Sequence, residues 1–430
     1  MNRLSNPSLS RSPLATLSSS LSGTTNLCLA IGAASLGSLI VLRSLTRSSP
    51  PGQIQIIPSP AETLLPTLDV KDLTELPYPP HALPGSRDVP SPHGTIRVYE
   101  WGPEEGEKIL LVHGISTPSI ALADLGHKLV RKGHRVMLFD LFGRGHSSGP
   151  SPDTIRYDTA LYITQILFVL QSSTLHWSAF TILGYSLGGA IAADFTSYFP
   201  DLVKGLVLVA PGGLIRTSHQ SWSSKLLYNS SWMPEWMVRK LVAKRLYTGT
   251  KSEDSVEGRP GAVENAETTT TSKSDASSSA AVYQSSNTIL LPGSPNSTVS
   301  GVVDWQIKHH AGFVPAFIST IRHGPVHHQH DRWQVIRENM EKKNAPLSEV
   351  WLVLGETDPI IVWDEVSEDV KNILGEEHVK IKTIEGAGHE LAIEKADSIV
   401  RVVQRSLGHA EKRSARSGVS GRSSRRERER

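Results

Sequence analysis

The chain contains 430 residues, with 44 Lys and Arg against 42 Asp and Glu, and a single cysteine, Cys28. One cysteine excludes a disulfide framework and any zinc or iron–sulfur centre built on cysteines. The formal net charge of +2 leaves no surplus of cations for a polyanion, so no nucleic-acid partner is expected. Length alone does not fix the number of domains, since one α/β domain can exceed about 200 residues.

The first 49 residues have a composition unlike that of a folded domain. They are rich in Ser and Leu, and the first acidic residue of the chain is Glu62. An uncharged apolar run at residues 27–42 would span, as a helix, about 24 Å of the roughly 30 Å hydrocarbon core of a bilayer. We therefore expect residues 1–49 to be a leader with a single-pass membrane anchor at about residues 24–42, in an endomembrane such as the endoplasmic reticulum rather than the mitochondrion. A cleaved secretory signal and a mitochondrial presequence are the alternatives.

Three further segments differ in composition from the rest of the chain. Residues 50–92 are dense in proline, which favours extended backbone and predicts a spacer. Residues 248–301 are rich in Ser and Thr with few large apolar residues, which predicts a disordered insertion. The arginine-rich residues 410–430 predict a basic disordered tail. The remaining residues, 93–409, are expected to form one folded domain around the insertion.

This domain alternates short apolar strands with amphipathic helices. The predicted strands cover residues 94–101, 109–112, 135–140, 180–184, 203–209, 349–354 and 379–384. The predicted helices cover residues 119–132, 154–171, 187–199, 232–247 and 391–407. Such an alternation predicts right-handed βαβ units and a sheet covered by helices on both faces. The expected fold class is α/β, a doubly wound, mostly parallel sheet, with ligands at the carboxyl ends of its strands.

A Gly-x-Ser-x-Gly pattern follows one of these strands, at Gly184, Ser186 and Gly188. The pattern alone is weak evidence, and an ordinary glycine-rich turn is the alternative. Between a strand and a helix, however, a serine on a tight turn needs small neighbours, and the turn lifts its hydroxyl above the sheet edge. The following helix supplies N–H donors and a positive dipole end that suit an oxyanion. Ser186 is therefore the candidate nucleophile.

A serine hydroxyl needs a base to act as a nucleophile, and two later strands end close to suitable residues, Asp358 and His389. The order Ser186, Asp358, His389 is that of a nucleophile-elbow hydrolase. In such a triad His389 takes the serine proton and returns it to the leaving group, while Asp358 fixes the imidazole tautomer. Glu356 is the rival for the role of the acid.

Together these segments resemble the α/β-hydrolase superfamily, specifically the AB hydrolase-1-type serine hydrolases of the esterase and lipase kind that carry a helical cap. The matching segments are His113-Gly114, residues 139–147, Gly184 to Gly189, Gly355 to Pro359 and Gly386 to His389. The resemblance implies an α/β-hydrolase fold with the cap inserted after the sixth strand, at about residues 213–347.

The resemblance also implies roles for particular residues. The backbone N–H groups of Leu187 and Ile115 are implied to form the oxyanion hole, with Ser116 replacing Ile115 if the loop is shifted. His113 and residues 140–147 are implied to hold these loops rather than to touch substrate. No cofactor is implied.

The predicted helix 232–247 lies in the cap and places Met233, Trp236 and Leu241 on one side and basic residues on the other. We expect it to pack its apolar side over the pocket, and a helix resting on a membrane is the alternative. Histidines are frequent in the second half of the cap, but apart from Asp304 and Asp331 they lack partners at ligand spacing, so no metal is expected. These histidines are His309, His310, His323, His327, His328 and His330.

The expected function is that of a monomeric serine hydrolase that cleaves a carboxylic ester, thioester or amide through an acyl-serine intermediate. An apolar or lipid-like substrate is expected because the enzyme is predicted to be membrane-tethered and its lid contains Trp and Met. The alternatives are a catalytically silent hydrolase-fold protein that serves as a binding module or scaffold, and acyl transfer or carbon–carbon bond hydrolysis by the same triad.

Overall fold

The computed structural model describes residues 54–216, 227–228, 233–247 and 287–409. In these residues the strands are β1 (Ile56–Ile57), β2 (Ser86–Ser91), β3 (Gly94–Trp101), β4 (Lys108–Val112), β5 (Arg135–Phe139), β6 (Gly149–Pro150), β7 (Phe180–Tyr185), β8 (Val203–Val209), β9 (Val350–Gly355) and β10 (Val379–Ile384). The α-helices are α1 (Pro60–Thr63), α2 (Val70–Glu75), α3 (Ala123–Arg131), α4 (Thr159–Gln171), α5 (Leu187–Tyr198), α6 (Glu235–Leu246), α7 (Val299–His309), α8 (Phe313–His323), α9 (His330–Met340), α10 (Trp363–Leu374), α11 (Leu391–Glu394) and α12, which covers residues 396–409.

Eight strands form one sheet in the order β10-β9-β8-β7-β4-β5-β3-β2. The pairs from β10 to β5 are parallel, whereas β3 pairs antiparallel with both β5 and β2. Every residue of β7 and β9 is buried, as expected for central parallel strands covered by helices on both faces. The predicted fold class, a doubly wound and mostly parallel α/β sheet, is confirmed.

The cap follows β8, which is the sixth strand of the eight-stranded sheet in chain order. Helices α6, α7 and α8 contribute to an apolar cluster, called here the cap cluster. Its buried residues are Tyr228, Val238, Val242, Leu246, Val303, Phe313, Val314, Phe317 and Ile318. In α6 the buried stripe is Val238, Val242 and Leu246, at a spacing of one helical turn. Trp236 and Leu241, which were expected to face the pocket, are 67% and 44% exposed.

Residues 54–91 differ from the expected proline-rich spacer, because they pack on the domain. Strand β2 forms the edge of the main sheet, and β1 pairs with β6. Tyr78 is fully buried. Proline density was misleading here because Pro90 lies in an edge strand, where a residue without an N–H group is tolerated.

The last residues of the expected disordered insertion are also folded. Ile289 and Thr298 form an isolated β-bridge, and Leu290 between them is 5% exposed. Thr298 then caps α7, since its hydroxyl accepts a hydrogen bond from the Gly301 N–H group at 2.9 Å. Residues 248–286 of the insertion lie outside the described residues.

The expected localisation, that of a single-pass membrane protein, is corrected by the structure. Within the described ranges no helix is long and apolar enough to cross a bilayer. The apolar run at residues 24–42, on which that expectation depended, lies outside the described residues, as do the rest of the leader and the tail at residues 410–430.

Candidate active site

Ser186 is the single residue between β7 and α5, and its backbone has φ +54° and ψ −117°. L-residues rarely adopt a positive φ, so the surrounding structure has to hold it. The Ser186 N–H group donates to the Val209 carbonyl at 3.0 Å, and its carbonyl accepts from the N–H groups of Gly189 and Gly212, both at 2.9 Å. These bonds fix the strained turn at the carboxyl edge of the sheet.

The two glycines of the pattern are required by close backbone approach. A Cβ atom on Gly184 would overlap the Gly188 carbonyl, and one on Gly188 would overlap the Val112 carbonyl of β4. Neither neighbour is a flexible side chain that can move aside. The sequence argument for small residues on both sides of Ser186 therefore matches the geometry of the turn.

The structure brings the three predicted side chains together, although His389 follows Ser186 by 203 residues in the chain. His389 Nε2 lies 3.0 Å from Ser186 Oγ, and His389 Nδ1 lies 2.8 Å from Asp358 Oδ2. A carboxylate can only accept, so in the neutral imidazole Nδ1 carries the proton and Nε2 is left to accept from the serine hydroxyl. That is the tautomer a general base needs.

The two candidate acids occupy different positions. The Asp358 side chain is fully buried, and its Oδ1 accepts from the N–H groups of Ile360 and Ile361 at 2.8 and 2.9 Å. Glu356 is exposed, and its Oε2 accepts from the Gly386 N–H group at 2.9 Å. Of these two described carboxylates, only that of Asp358 is within hydrogen-bond distance of His389.

The two N–H groups implied for the oxyanion hole come from different loops next to Ser186. Leu187 is the first residue of α5, and the first N–H groups of a helix have no acceptor within it. Ile115 follows Gly114, where an added Cβ would lie 3.5 Å from the Ser186 Cβ. In the part of the chain that the structure describes, neither N–H group donates to another backbone or side-chain acceptor.

Three side chains hold the carbonyl groups of residues 114–116, called here the oxyanion loop after the role that the resemblance implies. His113 Nδ1 lies 2.7 Å from the Gly114 carbonyl, Arg144 Nε donates to the Ile115 carbonyl at 3.2 Å, and Gln306 Nε2 donates to the Ser116 carbonyl at 2.9 Å. Arg144 belongs to residues 140–147, which the resemblance implies hold the loop, although it does not name the partner. The Gln306 contact was not predicted, because Gln306 is distant in sequence and belongs to no motif.

His113 has the structural role that the resemblance implies. The Leu141 N–H group donates to its Nε2 at 2.9 Å, so Nδ1 carries the proton that is shared with the Gly114 carbonyl. Burial lowers the pKa of His113 to about 3, which keeps the ring neutral. The ring therefore joins the oxyanion loop to the turn after β5.

Asp140, in that turn, is buried and is held by backbone donors. The N–H groups of Ser119 and His146 each donate to it at 2.9 Å, and the Tyr78 hydroxyl lies 3.1 Å from its Oδ1. Burial raises the pKa of Asp140, while the bonds from His146 and Ser119 oppose that rise. This network joins the N-terminal segment to the turn and is structural.

Tyr185 is a further residue of the site that sequence reasoning missed. Its hydroxyl donates to the His389 carbonyl at 3.1 Å, and the two ring centroids are 5.5 Å apart. The x position of a Gly-x-Ser-x-Gly pattern gives no signal for this contact, because it depends on the position of a loop about 200 residues later.

The cap histidines are scattered. His310 is buried and lies 2.9 Å from the Ser147 carbonyl, whereas His309, His323, His328 and His330 are exposed. Burial lowers the pKa of His310 to about 4. Among the residues described, no group of three or more His, Cys, Asp or Glu side chains is arranged to hold a metal ion.

Residues 108–246 match the family model described as alpha/beta hydrolase fold. The fold of the chain is thus that of the α/β hydrolases. Its similarity to curated proteins is confined to part of the chain: a serine hydrolase-like protein of Danio rerio is 32% identical over 129 residues, which are 30% of this chain and 38% of that protein. An uncharacterised protein of Mycobacterium tuberculosis is 36% identical over 137 residues, 30% of this chain and 38% of that protein. The chain thus matches well under half the length of these relatives.

Solved structures share the fold at low sequence identity. A membrane phospholipase A described as a bacterial virulence factor aligns with a TM-score of 0.51 at 16% identity, over 90% of this chain and 99% of that one. A putative lipase of Acinetobacter baumannii aligns with a TM-score of 0.51 at 18% identity, over 82% of this chain and 97% of that one. At these identities the likeness concerns the fold.

Proposed function

We propose that this α/β-hydrolase is a serine hydrolase that cleaves carboxylic esters, or the related thioesters and amides, through an acyl-Ser186 intermediate. The observation that carries the proposal is the hydrogen-bonded series from Ser186 Oγ through His389 to the buried Asp358, at 3.0 and 2.8 Å. Such a series on a strained turn at the carboxyl edge of an α/β sheet is the arrangement that activates a serine.

In the proposed reaction Ser186 Oγ attacks the carbonyl carbon of the ester while His389 Nε2 takes the hydroxyl proton. The oxyanion that forms lies against the N–H groups of Leu187 and Ile115, and Asp358 stabilises the imidazolium. The intermediate then collapses, the bond to the leaving group breaks, and His389 gives its proton to the leaving oxygen. A water molecule, deprotonated by His389, hydrolyses the acyl-serine in the same way.

An apolar acyl group is the substrate class that the surroundings of Ser186 favour. The side chain of Ile115 packs against both the main core and the cap cluster, so the oxyanion loop adjoins apolar cap side chains. Met233 and Ile307 also pack against the cap cluster and are only partly buried. An acyl chain bound with its carbonyl next to Ser186 would bury apolar surface there, which favours binding by about 25 cal/mol per Å².

The test uses the full chain, a fluorophosphonate probe and p-nitrophenyl esters of increasing acyl length. We expect the wild-type protein to be labelled, the Ser186→Ala variant not to be labelled, and kcat/KM to rise from acetate to medium-chain esters. A folded wild-type protein that takes up no label, or equal labelling after Ser186→Ala, contradicts the hydrolase assignment. A preference for short or charged acyl groups contradicts only the substrate class.

A further inference from the structure

The oxyanion loop is held in part by the cap rather than by the sheet alone. Gln306 is fully buried on α7, in the cap. Its Nε2 donates to the Ser116 carbonyl at 2.9 Å, and its Oε1 accepts from the Gly145 N–H group at 2.8 Å. One cap side chain therefore joins the oxyanion loop to the turn after β5.

Arg144 makes a second connection of this kind. Its side chain is fully buried, and in the described residues no carboxylate forms an ion pair with it. Instead Nε donates to the Ile115 carbonyl, Nη1 donates to the Phe142 carbonyl at 3.0 Å, and Nη2 donates to Thr320 Oγ1 on α8 at 2.9 Å. A buried guanidinium without a carboxylate is costly, so these neutral acceptors have to hold it.

Thr320 is itself held in place at the end of this connection. Its hydroxyl donates to the Ala316 carbonyl at 2.7 Å, so its single proton is committed. The Tyr162 hydroxyl lies 2.6 Å from Thr320 Oγ1 and must therefore donate its proton to that oxygen. Arg144 Nη2 donates to the same oxygen. Thr320 Oγ1 thus accepts from two elements of the main domain while it belongs to a cap helix.

The carbonyl contacts determine where the N–H groups of the loop point. In a trans peptide the carbonyl of one residue and the N–H group of the next point in opposite directions. His113, Arg144 and Gln306 therefore orient the N–H groups of Ile115, Ser116 and Thr117, respectively, away from themselves. Arg144 and Gln306 thus act on the Ile115 N–H group by fixing the course of the loop that follows it. A hydrogen bond to an amide oxygen also polarises the N–H group of the same amide and strengthens it as a donor.

We propose that Gln306 and Arg144 are positioning residues for the oxyanion loop, through which the seating of the cap helices α7 and α8 sets the geometry of the oxyanion hole. This inference rests on the proposed hydrolase function. Its consequence is that stabilisation of the transition state, and not only access of substrate, depends on the cap being docked.

The main experiment compares Gln306→Met with Gln165→Met as a matched control. Gln165 is equally buried and also makes two bonds to backbone, from Nε2 to the Asp140 carbonyl at 3.0 Å and from the Phe142 N–H group to Oε1 at 3.1 Å. Among the described residues it forms no hydrogen bond with residues 114–116. Melting temperature, kcat, KM and the inhibition constant of a trifluoromethyl ketone, which forms a tetrahedral adduct with the serine, are measured for both.

We expect both variants to lose similar thermal stability, whereas Gln306→Met lowers kcat about tenfold, at nearly constant KM, and weakens binding of the ketone by a similar factor. Gln165→Met, which reaches the loop only through the turn after β5, should lower kcat much less. Loss of a whole oxyanion donor costs about 10²–10³ in kcat, and a displaced donor costs a part of that. If the two variants lose kcat equally, or if folded Gln306→Met keeps the wild-type kcat, the inference is wrong.

A second pair tests the connection through Arg144 without removing its charge. Thr320→Val deletes the acceptor of Nη2, and Thr196→Val is the control, because Thr196 is a buried threonine whose hydroxyl donates only to the Ala192 carbonyl of its own helix. We expect kcat and the ketone affinity to fall severalfold in Thr320→Val alone. Failure of the wild-type protein to react with a fluorophosphonate would refute the hydrolase function, whereas a labelled wild type with equal effects in each pair refutes only the positioning role.

Discussion

Asp194, on the helix that follows Ser186, carries a buried carboxyl group whose replacement by asparagine should stabilise the protein at neutral pH. The residue is 1% exposed. Its Oδ2 accepts from Thr159 Oγ1 at 2.6 Å, while Oδ1 has no hydrogen-bond partner among the described residues. Burial raises the pKa of this carboxyl to about 6, and the positive charge of Arg332 opposes the rise.

The size of the effect follows from this pKa. The change is from 3.8 to about 6, and each tenfold change in proton affinity corresponds to about 1.36 kcal/mol, so the ionised form destabilises the folded state by about 3 kcal/mol. Well below pH 4 the carboxyl is protonated in both the folded and the unfolded state and does not lower the free energy of unfolding. Between about pH 4 and 6 the unfolded chain loses the proton first, so stability falls as the pH rises, and above pH 6 the full penalty is present.

The free energy of unfolding in urea, measured from pH 4.5 to 8 for the wild type and for Asp194→Asn, tests this reasoning. The difference between the two should grow with pH, in favour of the variant, and level off near pH 7 at about 2 to 3 kcal/mol. Asp201→Asn, at an exposed position, is the control and should follow the wild-type curve. A difference that does not depend on pH, or a variant less stable than the wild type at pH 7.5, would refute the argument.

Three further predictions concern the site itself. Asp358→Asn should lower kcat about 10⁴-fold, because the wrong imidazole tautomer is then favoured, whereas Glu356→Gln should change kcat less than about threefold; steady-state kinetics that reverse this order would move the acid role to Glu356. Gly184→Ala should destabilise the protein by more than about 3 kcal/mol in urea unfolding, since its Cβ would overlap the Gly188 carbonyl, and a variant with wild-type stability would contradict the close approach. Tyr185→Phe should cost about 1 kcal/mol of stability and lower kcat about threefold to tenfold through a less fixed His389; unchanged kcat would mean that the hydroxyl has no positioning role.

The proximity of the three candidate side chains could be predicted because each of them follows a strand. In a parallel sheet the carboxyl ends of all strands meet at one edge, so Ser186, Asp358 and His389 converge whatever lies between them. The choice of Asp358 over Glu356 could not be made in this way, because both lie in the same loop. It depends on burial and on the N–H groups of Ile360 and Ile361, which only the folded loop supplies.

Contacts between separate elements could not be predicted from the sequence. No element was predicted around Gln306, and Arg144 lies in the turn after β5, yet both side chains are fully buried. The apolar side of α6 was mispredicted for a similar reason. Trp236 is a large apolar residue, but the buried stripe is the one that packs in the same cluster as Phe313 and Phe317.

Two helices begin or end at other residues than predicted, because a local feature of the chain overrides the periodic spacing of apolar residues. Helix α4 begins at Thr159 rather than residue 154, because the Asp158 side chain accepts from the Leu161 N–H group at 3.1 Å and so caps the helix there. The predicted helix 391–407 is interrupted at Lys395, which separates α11 from α12. Periodic apolar spacing continues across that interruption and does not reveal it.

The edge strand β2 has a consequence for self-association. It pairs with β3 along Gly94 to Tyr99 and so provides hydrogen-bond partners for the N–H and carbonyl groups on the outer side of that strand. Asp88 of β2 also forms an ion pair with Arg97 of β3. A form of the protein shortened past Ser91 would present that row to solvent, and an uncovered strand edge is a template on which a second chain can add its own strand. The proline-rich segment therefore protects the sheet against intermolecular pairing, so shortened forms should aggregate before they lose their fold.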